Sequence, residues 1–356
     1  MQKDIYDPTK PFNEQIRQLI QDTHPQDGPI IIRAHGKRFR RVMDNDYWKD
    51  FDPQDATDGI GTKGLLHWLM DTHPNGVQDV FAMVMDDLME GGFIPVHLQD
   101  HILMQEESER YIFSLTGKLR DLCVQTPWET SDGRTYPIVI TGGETAIINT
   151  IQGFEMGITT TGYVRKGEEI TPNAQEGDVI IGLGSNGIHS NGLSFYREEL
   201  FDKRSMRLDA MLPWGVTVGD ELTRPTHVYM PALKELIKYF REDIHGVVHI
   251  TGGGLSKLRE LIQPQCSVDI GVTRNHSLEP QKLFFYAYDL GVSSEKMYNR
   301  FNNGVGYTIA VPISKAEDAL SILRKRFLAE VIGDVTRGNG RVVIESQYDP
   351  STVVFQ

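Results

Sequence analysis

Short apolar segments that run directly into glycine turns recur along this chain. Such a segment is typical of a buried strand that ends where the backbone must turn sharply. Stretches with helical spacing of apolar residues separate these segments, so we expect strands and helices to alternate. The pattern occurs at three places: Ile138–Ile140 before Gly142-Gly143, Val179–Leu183 before Gly184, and Val247–Ile250 before Gly252–Gly254.

The spacing of apolar residues elsewhere predicts further elements. Several predicted strands alternate apolar and polar residues, as half-exposed strands do. An α+β fold in two layers of sheet and helix therefore fits better than a doubly wound parallel sheet. Ser314 and Glu317 also predict a capping box, at the start of a helix that runs through Phe327. The predicted helices lie within Val80–Leu88, Tyr111–Leu122 and Val228–Phe240, and the additional strands within Ile94–Leu98, Tyr307–Val311 and Val342–Ile344.

A polar linker divides the chain into two parts. Residues Arg165–Glu176 include Pro172, and Gly177-Asp178 follows them. This composition is typical of a boundary, and we predict an N-terminal domain over residues 1–170 and a C-terminal domain over residues 171–356. The stretch before about Asp55 is polar, and we expect it to be irregular. We interpret its basic cluster, Lys37–Arg41, as a solvated loop rather than a phosphate contact.

The overall charge limits the partners that the protein can have. Its 356 residues carry a formal net charge of -13, which repels the phosphates of nucleic acids and of anionic membranes. We therefore expect neither nucleic acid nor a membrane as a partner. Two cysteines, Cys123 and Cys266, are too few for a disulfide framework. Residues 1–7 show no signal-peptide pattern, and we expect a cytoplasmic protein.

Carboxylates beside glycine turns mark the first candidate sites. In Asp58–Lys63, the glycines allow close approach of phosphate oxygens, Asp58 offers a magnesium ligand and Lys63 a positive charge. The spacing is not that of a Walker A loop, and a plain turn explains this segment equally well. Asp86-Asp87 and Glu144 are further candidate ligands. Their structural alternatives are an exposed helix face and a carboxylate at a helix N-terminus.

Three later glycine loops are rich in polar groups. Gly184–Gly192 combines backbone amides, hydroxyls, side-chain amides and an imidazole, which favours a functional loop over a structural turn. His249–Gly254 precedes a helix, whose first amides suit a phosphate. Phe301–Gly306 adds two asparagines. No nucleophile is paired with a base, and Ser185 lies in no G-x-S-x-G elbow. The set therefore predicts phosphoryl transfer with magnesium rather than covalent catalysis.

Taken in order, these segments resemble the motifs of the aminoimidazole ribonucleotide synthetase family, also called phosphoribosylformylglycinamidine cyclo-ligase. Each motif alone is weak, but their order and joint presence over most of the chain are specific. The segments that carry the resemblance are Asp58–Lys63, Gly142–Ala146, Gly177–Leu183, His189–Gly192, His249–Gly254 and Phe301–Gly306.

The resemblance implies an enzyme that uses ATP and Mg²⁺ to phosphorylate the formyl oxygen of formylglycinamidine ribonucleotide. An internal nitrogen then closes the imidazole ring, and phosphate leaves. The resemblance also implies that the substrate is a small ribonucleotide and that ATP binds in a cleft between domains. It further implies a homodimer, whose N-terminal domains share a β-barrel.

Individual residues are carried over only where they match a motif. The resemblance implies metal binding by Asp58, Asp87 and Glu144, and catalytic roles for Lys63, His189 and Asn191. The residues expected to contact ATP or phosphate are Asp58, Gly59, Gly61, Thr62, Lys63, Asp87, Asp100, Gly142, Gly143, Glu144, Ser190, Thr251, Gly252, Gly253 and Gly254.

The chain departs from the family pattern at four positions or segments. Arg33–Arg38 lacks the glycines of a segment that covers ATP, and Asp86 replaces an asparagine. Ile147–Asn149 replaces Glu-Met-Pro, and Asn303 replaces a cysteine. Two alternatives therefore stay open. One is a paralogue that activates a different amide or acid with ATP, and the other is a non-catalytic nucleotide-binding dimer.

Overall fold

The computed structural model describes residues 13–35 and 38–356. Two compact units are present: one holds the described residues up to Leu88 together with Phe93–Gly167, and the other holds Met89–Gly92 with Glu168–Gln356. The division thus falls after Gly167, where the sequence analysis places it after residue 170, and it also assigns a short segment near Glu90 to the second unit. No described helix has the length and apolar character needed to cross a membrane.

The first unit contains a main sheet of four strands, four further strands outside that sheet, and helices. Its strands are β1 (Ile30–His35), β2 (Arg38–Met43), β3 (Phe51–Gly59), β4 (Ile94–Met104), β5 (Trp128–Glu129), β6 (Thr135–Tyr136), β7 (Val139–Ile147) and β8 (Phe154–Arg165). Its helices are α1 (Asn13–Gln21), α2 (Asn45–Trp48), α3 (Lys63–Leu69), α4 (His73–Glu90) and α5 (Glu109–Gln125), of which α4 reaches into the second unit. The order in the main sheet is β3-β8-β4-β7, with only the β4–β7 pair parallel.

The second unit is built on a seven-stranded sheet. Its strands are β9 (Asp178–Gly184), β10 (Gly246–His249), β11 (Val268–Val272), β12 (Val305–Pro312), β13 (Ala329–Arg337), β14 (Val342–Glu345) and β15 (Thr352–Phe355). The helices are α6 (Leu193–Tyr196), α7 (Val218–Leu222), α8 (Met230–Phe240), α9 (Lys282–Asp289), α10 (Ser294–Arg300) and α11 (Ala316–Leu323). The strand order is β10-β12-β9-β13-β11-β14-β15, and only β11 and β14 pair in parallel.

Burial follows the position of each strand in its sheet. β8 buries alternate residues, including Met156 and Ile158, as a strand with one exposed face does. β9 is buried from Asp178 to Leu183 and β12 from Val305 to Val311, so both are covered on two faces. The predicted mixture of helices and strands is confirmed, and both sheets are largely antiparallel.

Three local predictions are wrong. The stretch before Asp55 is not irregular, because the β1–β2 hairpin and two helices lie within it. Gly142-Gly143 does not form a turn; both residues continue β7, where they pair with β4. Ser314 caps no helix, because it lies in a 3₁₀ turn, Ile313–Lys315, and α11 ends at Leu323 rather than Phe327.

Candidate functional site

A row of directly paired residues crosses the sheet of the first unit. Asp58 in β3 pairs with Ile158 in β8, which pairs with Asp100 in β4, and Asp100 pairs with Gly143 in β7. Side chains of directly opposed residues share one face, and Ile158 is fully buried. The two carboxylates therefore lie on the inner face. Being two strands apart, their backbones are separated by about 10 Å.

Asp100 depends on the glycine beside it. A Cβ atom on Gly143 would lie 2.3 Å from Oδ1 of Asp100, so any larger residue would displace this carboxylate. Burial raises the pKa of Asp100 to about 7. A bound cation would oppose that effect, since a nearby positive charge favours the ionised form. Asp100, in the cradle that Gly143 leaves for it, thus supplies one carboxylate, the kind of ligand that Mg²⁺ prefers.

A second pair of carboxylates stands at the end of β3. Oδ1 of Asp58 accepts a hydrogen bond from the amide of Gly59 at 2.7 Å. Oε1 of Glu155, in β8, accepts one from the amide of Gly61 at 3.3 Å. Burial raises the pKa of Glu155, and the negative charge of Asp58 adds to the effect. No sequence pattern points to Glu155, because it lies in a regular strand and in no glycine motif.

The proposed metal ligands do not converge within the described chain. Asp87 is half-buried near the end of α4, and its neighbour Asp86 is fully buried. Glu144 is exposed and pairs with His101, so it points to the opposite face of the sheet from Asp100. Over residues 13–35 and 38–356, no three His, Cys, Asp or Glu side chains form a group that could hold a metal ion. The set Asp58, Asp87 and Glu144 stays a prediction.

Lys63 is placed in an internal ion pair. The turn that contains Gly61 and Thr62 joins β3 to α3, and Lys63 is the first residue of this helix. Its Nζ lies 2.9 Å from Oδ1 of Asp79, with both side chains buried. Burial lowers the pKa of Lys63, and Asp79 opposes that effect. In this structure the Lys63 charge is therefore directed at Asp79, and phosphate contact stays a prediction.

One edge of the seven-stranded sheet collects the glycine loops of the second unit. β9 and β10 end at this edge, at Gly184 and His249, and β12 begins there at Val305, because β12 is antiparallel to both. Their loops are the three that the sequence analysis singles out. Sheet topology thus brings together segments that are far apart in the chain.

Close contacts join these loops to one another. A Cβ atom on Gly192 would lie 2.4 Å from the ring of Phe301. One on Gly252 would lie 3.6 Å from Oδ1 of Asn191, which is ordinary van der Waals distance. Asn191 also has a buried Nδ2 that finds no hydrogen-bond acceptor among the described residues. The loops therefore form one cluster, with an amide donor available inside it.

His189 lies at the centre of this cluster. It is 2% exposed and adopts a left-handed backbone conformation, with φ of 56°. Its Nε2 is 3.0 Å from Oδ1 of Asn186. The hydroxyl of Tyr229 donates to the carbonyl of Gly184 at 2.8 Å. A Cβ atom on Gly306 would strike both Tyr229 and His189. These contacts fix the imidazole in one orientation.

A lysine that the sequence analysis missed supports the second loop. Nζ of Lys257 donates to the carbonyl of His249 at 3.0 Å and to Oγ1 of Thr251 at 3.2 Å. The 3₁₀ segment Gly254–Leu261 carries this lysine. Both Gly253 and Gly254 have positive φ, as their close turn requires. A cation therefore stands under the loop that is expected to meet phosphate.

Other expected residues have more ordinary surroundings. Oγ of Ser190 lies 3.4 Å from Oγ1 of Thr226. Asn303, which replaces the family cysteine, is buried with φ of 50°. Its Nδ2 donates to the carbonyls of Met297 and Phe301 at 3.0 and 2.7 Å. This departure thus concerns the shape of the turn. Of the basic cluster Lys37–Arg41, Lys37 lies outside the described residues.

Comparison with known proteins assigns the chain to a family. Residues 175–345 match the family model of the AIR synthase related protein, C-terminal domain. The phosphoribosylformylglycinamidine cyclo-ligase of Methanothermobacter thermautotrophicus is 34% identical over 298 residues, 82% of each chain. That of Methanobrevibacter smithii is 33% identical over 286 residues, 79% of each.

Solved structures share the fold at much lower identity. The hydrogenase maturation protein HypE of E. coli matches with a TM-score of 0.64 and 16% identity, over 97% of both chains. A HypE structure in complex with ATP matches with a TM-score of 0.59 and 15% identity, over 86% of this chain and 84% of the other. The identities to the two cyclo-ligases, over about four-fifths of each chain, show that this protein belongs to the phosphoribosylformylglycinamidine cyclo-ligase family.

Proposed function

We propose that this protein closes the imidazole ring of formylglycinamidine ribonucleotide, with ATP, to give aminoimidazole ribonucleotide in purine biosynthesis. The observation that carries the proposal is the cluster of three polar glycine loops on one sheet edge, in a chain 34% identical to a cyclo-ligase of that name. The loops supply backbone amides, an imidazole and an amide donor, which are the groups that bind and orient phosphoryl oxygens.

The reaction separates into two steps. In the first, the formyl oxygen attacks the γ-phosphorus of ATP, and ADP leaves. In the second, the amidine nitrogen attacks the activated carbon, the carbon–oxygen bond to phosphate breaks, and the nitrogen loses a proton. We assign Asn191 to a phosphoryl oxygen, because its Nδ2 is buried with no acceptor among the described residues. His189 is assigned to holding phosphate or moving the proton.

The first unit is proposed to bind ATP and Mg²⁺. Asp58 and Asp87 remain proposed metal ligands, and Asp100, beside Gly143 and on the same face as Asp58, adds a carboxylate. Glu144 points to the opposite face of the sheet, so it is not proposed to bind the same ion as Asp58 and Asp100. When bound, the ion would neutralise the charge that develops on the phosphate oxygens. Gly59, Gly61, Thr62 and Lys63 are assigned to the nucleotide phosphates on the family motif, and a structural neighbour that binds ATP supports ATP as the nucleotide.

We further propose a homodimer with a shared barrel. Within the described residues, β3 and β7 are the two edge strands of the four-stranded sheet, so both can pair with another chain. The outer face carries small polar side chains: Thr57 and Thr159 are exposed there, and Thr161 is half-buried. In this proposal residues 1–170 bind ATP and dimerise, and residues 171–356 hold the substrate loops.

One observation favours a second candidate function. The family motif breaks off after Ala146, and Ile147–Asn149 lies at the end of β7, just beyond the Gly143 cradle. A paralogue that activates a different amide or acid would keep the phosphate loops and change such a segment. Hydrolysis of ATP that depends on another amide, with no response to formylglycinamidine ribonucleotide, would select this candidate.

The test is a turnover assay with purified protein, Mg²⁺, ATP and formylglycinamidine ribonucleotide. We expect release of ADP and formation of the aminoimidazole product. Asp58→Asn should slow turnover by orders of magnitude, because a charge on the phosphoryl-transfer site is lost. His189→Ala should lower the turnover of folded protein, and it should also lower the free energy of unfolding, because a buried, hydrogen-bonded side chain is lost. Normal kinetics with a large loss of stability would make His189 a structural residue.

A further inference from the structure

A cavity of about 230 Å³ lies beside the glycine loops of the second unit. Gly184-Ser185 and Gly304 line it, so it shares walls with the loop cluster. The ionisable side chains that line it belong to His227, Glu279 and Arg326. At about 30 Å³ per water molecule, the cavity has room for about eight waters. That space suits a phosphoryl group with part of a sugar.

Arg326 differs from the two basic residues before it. Arg324 lies 3.8 Å from the carboxylate of Glu317, and Lys325 lies 2.7 Å from that of Glu235. For the guanidinium of Arg326, residues 13–35 and 38–356 provide neither an ion pair nor a hydrogen bond. Arg326 is exposed, and its guanidinium stands at the wall of a cavity without a direct partner among the described side chains, in a protein whose net charge is -13.

The other two ionisable residues differ in charge from Arg326, so the lining of the cavity is not uniform. His227 is half-buried, and burial lowers its pKa, so a neutral imidazole faces the space. Its ring lies edge-on to Phe327, with centroids 5.3 Å apart, and 6.1 Å from the ring of His189. Glu279 is exposed, and its carboxylate carries the charge opposite to that of Arg326. A carboxylate accepts hydrogen bonds from hydroxyls and repels a second anion.

We propose that this cavity binds a ribose phosphate, with Arg326 against the phosphate and Glu279 against the ribose hydroxyls. A guanidinium binds phosphate oxygens in pairs, and the glycine backbone at 184 and 304 allows close approach. This inference rests on the proposed function: the ligand is the phosphate end of the ribonucleotide substrate rather than ATP. The Thr251–Gly254 loop is then left for the phosphoryl group that is transferred.

Calorimetric titration of the full chain with ribose 5-phosphate tests the cavity without turnover. We expect Arg326→Gln to weaken binding about ten- to a hundredfold, the usual effect of losing a charged hydrogen-bond partner. Lys325→Gln removes the same charge one residue away and should change binding less than twofold. Glu279→Gln should weaken binding of ribose 5-phosphate but not of inorganic phosphate. Circular dichroism checks that each variant is folded.

Kinetics then identify the source of the phosphate. Arg326→Gln should raise KM for formylglycinamidine ribonucleotide and leave KM for ATP unchanged. Three outcomes overturn the proposal: no binding of ribose 5-phosphate to the wild type, equal weakening in Arg326→Gln and Lys325→Gln, or a KM rise confined to ATP. Because the titration needs no reaction, a wild-type protein that binds ribose 5-phosphate but shows no turnover would refute the proposed function alone.

Discussion

Gly143 leaves room for a carboxylate that the neighbouring strand presents. A Cβ atom there would lie 2.3 Å from Oδ1 of Asp100, whereas one on Gly142 would meet no heavy atom within 4 Å. Both glycines lie in β7, so both substitutions stiffen the same strand. Comparing the two substitutions therefore separates the space that the Asp100 side chain needs from the backbone flexibility that glycine gives to the strand.

We expect Gly143→Ala to lower turnover at least about tenfold, because a carboxylate displaced by about 1 Å no longer fits its task. Gly142→Ala should lower turnover less than Gly143→Ala, because its Cβ would meet no heavy atom within 4 Å. Steady-state kinetics at several Mg²⁺ concentrations would show the difference. Equal effects of the two substitutions would mean that the Asp100 cradle has no functional part.

His97 makes stability depend on pH. Its imidazole is buried, 3.0 Å from the guanidinium of Arg41 and 3.3 Å from the hydroxyl of Tyr163. Burial, with Arg41, lowers the pKa of His97 to about 3, and Asp55 opposes this. The folded form therefore stays neutral where the unfolded chain binds a proton. The stability that this difference provides is complete above pH 6.5 and is lost as the pH falls towards 3.

For one such histidine, the free energy of unfolding should fall by about 2 kcal/mol between pH 7 and pH 5. His97→Gln should remove this fall of about 2 kcal/mol in the free energy of unfolding, as measured by urea denaturation at both pH values. His101→Gln changes an exposed histidine on the same strand and should leave the loss unchanged. If the two variants lose stability equally on acidification, His97 is not the group responsible.

At the scale of the elements, one asparagine ties together two of the three glycine loops. The buried side chain of Asn302 accepts from Oγ of Ser185 at 2.8 Å and from the amide of Gly304 at 3.1 Å. It donates to the carbonyl of Gly187 at 2.8 Å. One amide thus fixes the Gly184–Gly192 loop against Phe301–Gly306.

Asn302→Ala should lower the free energy of unfolding by about 1–3 kcal/mol, since it leaves buried groups without partners. Turnover should fall as well, because the two loops are no longer held in a fixed position relative to each other. Asn275→Ala, at an exposed position, should change neither. Chemical denaturation and kinetics on the same samples give both values, and full activity in Asn302→Ala would refute the role of the tie.

How far the sequence predicts these elements depends on the kind of signal. Apolar periodicity locates long elements such as α4 and α5, because burial of one face determines them. The Gly142-Gly143 pair misleads, since both glycines continue a strand and Gly143 makes room for the side chain of Asp100 instead of forming a turn. Glu155 and Lys257 escape notice because only strand pairing and loop packing bring them to the sites. The resemblance supplies Asp100, which no local pattern distinguishes.

At the scale of the molecule, the proposed dimer predicts that the protein in solution has twice the mass of one chain. The chain of 40.3 kDa should sediment as a species of twice that mass. Thr159→Arg places a charge on the outer face of the four-stranded sheet and should shift the protein to monomer, because like charges would then meet across the interface. Thr352→Arg, at an exposed site in the other unit, should not. A wild-type monomer would refute the shared barrel.

At the scale of the whole chain, the central proposal is that an amide oxygen is phosphorylated before a nitrogen displaces it. Heavy oxygen placed in the formyl group of formylglycinamidine ribonucleotide follows that atom directly. Mass spectrometry of the products should find the label in the inorganic phosphate that is released, with one labelled oxygen per ring closed. Label that appears in water, with unlabelled phosphate, would contradict activation of the amide oxygen by ATP.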